Sequence, residues 1–173
     1  MEPSEYDKII KMKAIPWEVN EEKFSDAYVA GFFDGDGSLV ATLTKNPPKY
    51  FRTYRPRIKM NFTQHVRHIE MLHKMQKYLG AGKVSVASKH NQAELVISDR
   101  NDLVKVINQI LPHLVLKRQQ AILALEILSQ FGKNLRTNRI LESDYLIILE
   151  KIIIIRSLNS GTGGKRNFSH LTP

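Results

Sequence analysis

The chain has 173 residues, which suits one domain with or without an appendage, and its 26 Lys and Arg against 17 Asp and Glu give a formal net charge of +9. Because Lys and Arg are almost never buried without a partner, this excess charge lies at the surface and favours a polyanionic partner: DNA, RNA or an acidic membrane face. The absence of cysteine excludes disulfides, Cys-ligated zinc and thiol nucleophiles, so any catalytic metal must be held by oxygen or imidazole.

The N-terminal stretch, residues 1–22, is polar and mixed in charge, and it predicts an arm that Trp17 would pin to the body of the protein. Because this stretch has acidic residues and no apolar h-region, we predict neither a signal nor a transit peptide. The apolar run at 146–155 is interrupted by Glu150 and Lys151 and is too short to cross a bilayer. We therefore expect an intracellular protein, in a prokaryotic cytoplasm or an organelle, with no membrane partner.

Hydrophobic periodicity predicts the order α-β-β-α-β-β-α, followed by further helices. The predicted elements are helix 24–36, strand 38–46, strand 55–63, helix 67–79, a strand around Val84 and Val86, a strand around Leu95 and Ile97, a helix through Leu103 that ends at Pro112, helix 117–131 and helix 143–158. We expect Asn20 or Ser25 to cap the first helix, Gly80 to end the second, and Ser98 or Asp99 to cap the third. The first helix is apolar over most of its circumference and is therefore predicted to be buried.

Gly31 and Gly35 lie four residues apart on the first predicted helix, within the segment A-Y-V-A-G-F-F-D-G-D-G-S at 27–38. Each glycine costs a helix about 1 kcal/mol relative to alanine, so some interaction should compensate. Two small residues at this spacing share one face and let a second helix backbone approach closely. Because the chain holds one such helix, we predict a homodimer in which Tyr28, Gly31 and Gly35 meet their symmetry copies.

Asp36 ends the same predicted helix, where a two-fold axis would place it beside its copy. Two converging carboxylates repel each other unless a divalent cation lies between them, and hard oxygen ligands suit Mg²⁺, for which Ca²⁺ or Mn²⁺ would substitute in binding. A metal held in this way is often used for phosphodiester hydrolysis. The Asp-Gly-Asp-Gly sequence equally fits an ordinary turn between helix and strand, and its spacing alone does not decide between the two.

Four segments of the sequence carry a family resemblance. Y-V-A-G-F-F-D-G-D-G-S at 28–38 closely resembles the LAGLIDADG motif of homing endonucleases. N-F-T-Q at 61–64 resembles the end of the second strand in the dimeric members, and P-H-L-V-L-K-R-Q-Q-A at 112–121 resembles their P-x-L-x-L-K-x-x-Q-A segment. The tail around Lys165 and Arg166 is similar to the C-terminal loop of that group, so the resemblance covers roughly residues 24–166.

This resemblance implies an α+β fold: an αββαββα core at 23–132 with an antiparallel four-stranded DNA-binding sheet, preceded by the arm at 1–22 and followed by a C-terminal helix and basic tail at 133–173. It implies a single-motif, homodimeric, intron-encoded endonuclease that cuts double-stranded DNA at a long pseudo-palindromic target with a divalent metal. Two alternatives on the same fold stay open. One is a maturase that binds intron RNA and assists splicing, and the other is a DNA-binding regulator that has lost cleavage.

The resemblance also implies roles for individual residues. Asp36 would be the metal ligand, with the Gly35 carbonyl as a second ligand, and Gln64 and Lys117 would position or polarise the attacking water and the scissile phosphate. Asp34 matches a variable acidic position of the motif and is not assigned to the metal.

One departure from the family pattern concerns the start of the second helix. The dimeric members often carry an arginine there, whereas this chain has His68 with Arg67 beside it. Because imidazole is mostly neutral near pH 7, Arg67 is the better phosphate partner. His65, His68 and His73 lack an acidic companion at a spacing typical of zinc sites, so we do not predict zinc binding.

Alternation along the predicted strands places polar side chains on one shared face. Its members are Thr42, Thr44, Arg55, Arg57, Lys59, Asn61, Lys83, Ser85 and Glu94. Side chains of these types can read base edges in the major groove, which admits an antiparallel ribbon. A solvated sheet face would also alternate, but it explains three cations in register less well, because like charges repel. Phosphate contacts are expected from Lys45, Lys49, Lys89, Arg136, Arg139, Lys165 and Arg166.

Overall fold

The structure is a computed structural model that describes residues 24–48, 50, 52–87, 91–131 and 141–159. The predicted arm at 1–22, the basic linker before the last helix and the tail after it lie outside the described residues. So do six of the cations predicted to contact phosphate, namely Lys49, Lys89, Arg136, Arg139, Lys165 and Arg166.

The helices and strands follow the predicted order, which confirms the α+β fold. They are α1 (Asp26–Asp36), β1 (Gly37–Lys45), β2 (Tyr54–His65), α2 (Ile69–Leu79), β3 (Lys83–Ala87), β4 (Gln92–Ile97), α3 (Arg100–Ile110), α4 (Arg118–Gln130) and α5 (Glu142–Leu158). Two short 3-10 turns, Val66–His68 and Leu111–His113, precede α2 and follow α3.

The four strands form one antiparallel sheet in the order β1-β2-β4-β3. One face of the sheet is apolar and belongs to the core that the helices cover. Its buried side chains include Leu39, Ala41, Ile58, Met60, Phe62, Leu95 and Ile97. The alternation of side chains therefore leaves the opposite face for polar residues.

The caps of the helices agree with the sequence prediction. Ser25 Oγ accepts the N–H of Tyr28 at 3.2 Å and caps α1, while the Asp99 carboxylate accepts the first N–H groups of α3. Gly80 ends α2 with a φ of 58°. The start of α2 differs from the prediction: residues 66–68 form a 3-10 turn, in which His65 Nδ1 accepts the N–H of Arg67 at 3.2 Å.

The predicted full burial of the first helix is wrong for the single chain. Val29, Ala30 and Phe33 are buried, but Tyr28, Gly31 and Gly35 are exposed. Helix α1 packs against β1, β2, α3 and the 3-10 turn Leu111–His113, and the side that carries Gly31 and Gly35 stays exposed in the single chain. Val86 pairs with the buried Ala93 and so shares the core face of the sheet, but it is 52% exposed on the edge strand β3.

The last helix, α5, packs against α4 and β1 through Ile148, Ile152 and Ile155. Tyr145 Oη donates to the carbonyl of Tyr54 at 3.2 Å, which ties the start of α5 to the sheet. No helix in the described part of the chain is long and apolar enough to span a membrane.

Gly82 holds the turn between α2 and β3 and is the basis of a stability prediction. Its φ is 83°, and an added Cβ would lie 2.8 Å from Ile97 Cγ1 and 2.9 Å from the Val96 carbonyl oxygen. We expect Gly82→Ala to lower the free energy of unfolding by about 2–4 kcal/mol, because left-handed backbone strain and overpacking add. Chemical denaturation followed by circular dichroism measures this. Asn108→Ala, on the exposed side of α3, is the control, and a loss below about 1 kcal/mol for Gly82→Ala would contradict the prediction.

Candidate active site and nucleic-acid interface

Helix α1 runs into strand β1 without a loop, and the junction fixes the position of Asp36. Asp36 is the last residue of the helix and Gly37 is the first of the strand. The N–H of Gly37 donates to the carbonyl of Phe33. A Cβ at position 37 would lie 2.6 Å from that carbonyl oxygen, so only glycine fits there. The second glycine of Asp-Gly-Asp-Gly is therefore required by packing within the chain.

The Asp36 carboxylate is exposed and makes no hydrogen bond to the described residues. The carbonyl of Gly35 belongs to the last turn of α1, whose carbonyls have no partner within the helix. These are hard oxygen donors, and they fit Mg²⁺ or a similar divalent cation. Across residues 24–159, where described, no three His, Asp or Glu side chains are grouped to hold a metal. A complete coordination shell at Asp36 would therefore need oxygens from water, DNA or another subunit.

Lys117 lies beside the end of α1. Its Nζ donates to the backbone carbonyl of Asp34 and is 5.8 Å from the centre of the Phe33 ring. Burial lowers the pKa of the Lys117 ammonium, and the nearby carboxylates of Asp34 and Asp36 partly oppose this shift. The structure thus brings together Asp36 and Lys117, which are predicted from separate parts of the sequence.

Asp34 is a residue whose role the sequence did not reveal. Its Oδ2 accepts the N–H groups of Val115 at 2.7 Å and Leu116 at 3.2 Å, and its Oδ1 accepts the N–H of Lys117 at 2.9 Å. These bonds use both oxygens, which agrees with not assigning Asp34 to a metal. The only signal in the sequence was that no acceptor residue stands at the start of α4 to cap that helix.

Gln64 lies at the same end of the sheet as Asp36. Gly37, the first residue of β1, pairs with Phe62 of β2, so Asp36 at the end of α1 and Gln64 further along β2 both lie beyond this pair. Gln64 Oε1 accepts the N–H of His65 at 2.9 Å, and no hydrogen bond joins it to Asp36 in the described structure. Arg67 is exposed on the 3-10 turn that follows.

The strand register brings all nine predicted polar residues of the sheet onto one face. Directly paired residues share a face of the sheet. The cross-strand rows are Thr44–Arg55, Thr42–Arg57, Val40–Lys59, Ser38–Asn61–Val96–Lys83 and Thr63–Glu94–Ser85. These rows add Ser38, Val40, Thr63 and Val96 to the nine predicted residues. Arg55 is further oriented by its Nε, which donates to Thr44 Oγ1 at 3.4 Å.

A second exposed surface is formed by one side of α1 together with Val115 and Leu116. Tyr28 is 47% exposed, and a Cβ added at Gly31 or Gly35 would meet nothing within 4 Å. Val115 and Leu116 are 80% and 72% exposed, and Asp34 holds their backbone beside the end of α1. We refer to these five residues as the open apolar surface.

Known proteins are similar in both sequence and fold. A family model described as LAGLIDADG endonuclease matches residues 29–126. DNA endonuclease I-CreI of Chlamydomonas reinhardtii is 31% identical over 103 residues, which are 60% of this chain and 61% of that protein, so the chain spans less than two thirds of this relative. DNA endonuclease I-CvuI of Chlorella vulgaris is 28% identical over 141 residues, or 81% of each chain.

Solved structures of I-CvuI give the matching fold. I-CvuI in complex with the I-CreI target in 2 mM Mg, where the DNA is not cleaved, has a TM-score of 0.72 and 27% identity, and covers 82% of this chain and 85% of that one. I-CvuI with its own target in 2 mM Ca has a TM-score of 0.71 and 26% identity, with the same coverage. Because the family model spans more than half of the sequence and the fold agrees with these structures, the chain belongs to the LAGLIDADG endonuclease family.

Proposed function

We propose that the chain is a site-specific homing endonuclease that hydrolyses both strands of a long pseudo-palindromic DNA target as a homodimer with a divalent metal. The observation that carries this proposal is the meeting of Asp36 and Lys117 at the end of the motif helix. Asp36 is exposed without a hydrogen bond to described residues, and Lys117 is held beside it. Both relatives are DNA endonucleases, which supports the same reaction here.

The homodimer is supported by the open apolar surface. Val115 and Leu116 are more exposed than apolar side chains usually are, and they lie beside a glycine-lined helix face with room for another backbone. A two-fold axis through this face would bury all five residues and bring the two copies of Asp36 together. Each copy would then supply the oxygens that one chain lacks for metal coordination.

The chemistry assigned to the site divides between the cation and the side chains. Asp36 and the Gly35 carbonyl would hold Mg²⁺, which when bound lowers the pKa of water and stabilises charge on phosphate oxygens. Lys117 presents its ammonium from a fixed position and stabilises the negative charge that develops on the scissile phosphate. Gln64 lies at the same end of the sheet and would orient the attacking water once its carboxamide turns from the His65 N–H. Arg67 is exposed on the 3-10 turn that follows β2 and would contact the phosphate backbone nearby.

The polar face of the sheet is proposed to read one half-site in the major groove. It presents Arg55, Arg57, Lys59 and the Asn61 amide along one strand, with hydroxyl and carboxylate groups on the neighbouring strands. The two sheets of a dimer would straddle the central base pairs, so the two half-sites would be related by the dyad of the protein. Lys45, Lys165 and Arg166 are assigned to the flanking phosphates.

Cleavage of a DNA library with randomised half-sites, in Mg²⁺ and in Ca²⁺, tests the proposal. We expect discrete double-strand cuts at one long pseudo-palindrome, mapped by sequencing the ends, in Mg²⁺. Binding without cleavage in both metals would exclude the nuclease function. A DNA-binding regulator or a maturase would then be favoured, and binding to intron RNA would be assayed next.

Arg57→Ala separates base reading from phosphate contact. Arg57 is exposed in the middle of the polar face, opposite Thr42. We expect the variant to bind the selected target about 1–3 kcal/mol more weakly and to accept other bases at one position of each half-site. Competition binding against single-base target variants measures both effects. Arg100→Ala, at the start of α3, is the matched control, and equal weakening on every sequence would make Arg57 a phosphate contact instead.

A further inference from the structure

The segment that carries Lys117 departs from the usual rules for a helix start. Lys117 occupies the N-cap position of α4, and its side chain makes no capping hydrogen bond. Lysine is a poor residue at this position, because it offers no acceptor to the free N–H groups and its charge opposes the helix dipole. Local departures of this kind concentrate at functional sites, where another part of the protein compensates.

Asp34 supplies the missing acceptor from α1. Its two carboxylate oxygens accept the N–H groups of Val115, Leu116 and Lys117, between 2.7 and 3.2 Å. Its backbone carbonyl accepts from Lys117 Nζ. One residue therefore holds Lys117 at both ends, the backbone through the carboxylate and the ammonium through the carbonyl.

We propose that Asp34 is a positioning residue for DNA cleavage that acts through Lys117. It anchors the segment before α4 and thereby holds the Lys117 ammonium beside Asp36, in place before DNA arrives. This inference rests on the proposed function. Such preorganisation matters because a displacement of about 1 Å at a catalytic group can cost about a hundredfold in rate.

The anchor requires a carboxylate. Three N–H groups converge on two oxygens, of which Oδ2 accepts two and Oδ1 accepts one. In Asp34→Asn one of these oxygens becomes an NH₂ group, which cannot accept. Either the Val115 and Leu116 bonds or the Lys117 bond must then be lost. The asparagine variant keeps the size of the side chain and the backbone carbonyl, so it tests the carboxylate alone.

Single-turnover cleavage of the library-selected target in Mg²⁺ tests the positioning role. We expect Asp34→Asn to be about a hundredfold slower than wild type, with DNA affinity in Ca²⁺ unchanged. The double variant Asp34→Asn/Lys117→Met should cleave no more slowly than Lys117→Met alone, because the effect of Asp34 passes through the lysine. A further hundredfold loss in the double variant would overturn the inference.

Asp99→Ala is the matched control. Asp99 also accepts two backbone N–H groups at a helix start, but at α3 rather than at the site, and this variant should cleave at the wild-type rate. Hydrogen exchange of the amides of Val115, Leu116 and Lys117 provides a readout that does not depend on cleavage. Exchange of these amides should accelerate in Asp34→Asn and not in Asp99→Ala. Unchanged exchange in Asp34→Asn would overturn the proposal that Asp34 anchors this segment.

The outcomes separate the two proposals. If wild type cuts no member of the library, the proposed function fails, and the exchange measurement still decides whether Asp34 anchors the segment. If wild type cuts and Asp34→Asn cuts equally fast, the proposed function stands and the positioning role is overturned.

Discussion

Asp36→Asn is expected to abolish DNA cleavage and to leave DNA binding intact. Asp36 offers an exposed carboxylate with no hydrogen bond to the described residues, so the substitution breaks no contact of the fold. It removes the charged oxygen donor for the cation, whose stabilisation of the reaction is worth several kcal/mol. The rate of cleavage should therefore fall by about a thousandfold or more, since about 1.4 kcal/mol corresponds to a factor of ten. Single-turnover cleavage in Mg²⁺ and gel-shift binding in Ca²⁺ measure the two properties.

Asp144→Asn controls for the loss of one negative charge, which by itself strengthens binding to DNA. Asp144 lies in the first turn of α5, away from α1. Its variant should cleave as wild type does. If Asp36→Asn cleaves within about tenfold of the wild-type rate, this carboxylate does not hold the catalytic metal. Another residue would then have to be the metal ligand.

Gly31→Leu is expected to convert the protein to a monomer that no longer cuts its full target. In the single chain a Cβ at position 31 meets nothing within 4 Å, so the chain should fold with the leucine in place. Leucine also suits a helix interior better than glycine by about 0.5–1 kcal/mol, so the fold itself should not be weakened. At the proposed two-fold contact, however, the side chain would hold the two helix backbones apart. Light scattering coupled to gel filtration measures the mass, and the library-selected target reports cleavage.

Asn108→Leu is the matched control for Gly31→Leu. Residue 108 is exposed on α3, and a leucine there adds the same apolar side chain away from the open apolar surface. It should leave both the mass and the cleavage rate unchanged. A Gly31→Leu protein with the mass of two chains would place the interface elsewhere, and the role of the two glycines would need another explanation.

Much of the fold could be predicted because its signals are local. Alternation placed Thr42 and Thr44 on the polar face of β1, which leaves Leu39 and Ala41 for the core, and helix caps such as Asp99 interact with N–H groups two and three residues away. The burial of α1 was not predictable in the same way. Its sequence is apolar on nearly all sides, but whether each side meets a neighbour depends on how many chains assemble.

The contacts within the candidate site could not be predicted from single segments of the sequence. Asp36 and Lys117 were both identified, but only the folded chain shows that they meet. The role of Asp34 depends on contacts with residues 81 to 83 positions away, and neither segment reveals this contact by itself. The polar face was predicted strand by strand, whereas its rows depend on register, which a single strand does not encode.

The direct passage from α1 into β1 has a consequence for how such a protein can change its target. Asp36, the proposed metal ligand, and β1, the first strand of the proposed DNA-reading face, are neighbours along one uninterrupted backbone, with Gly37 packed too tightly against Phe33 to admit a larger residue. Inserting one residue at this junction would turn every side chain of β1 to the other face of the sheet. If the proposed function holds, the length of this backbone sets the number of base pairs between the cut and the bases that the sheet reads. Substitutions on the polar face would then change which bases are recognised, while the distance between those bases and the cut stays constant.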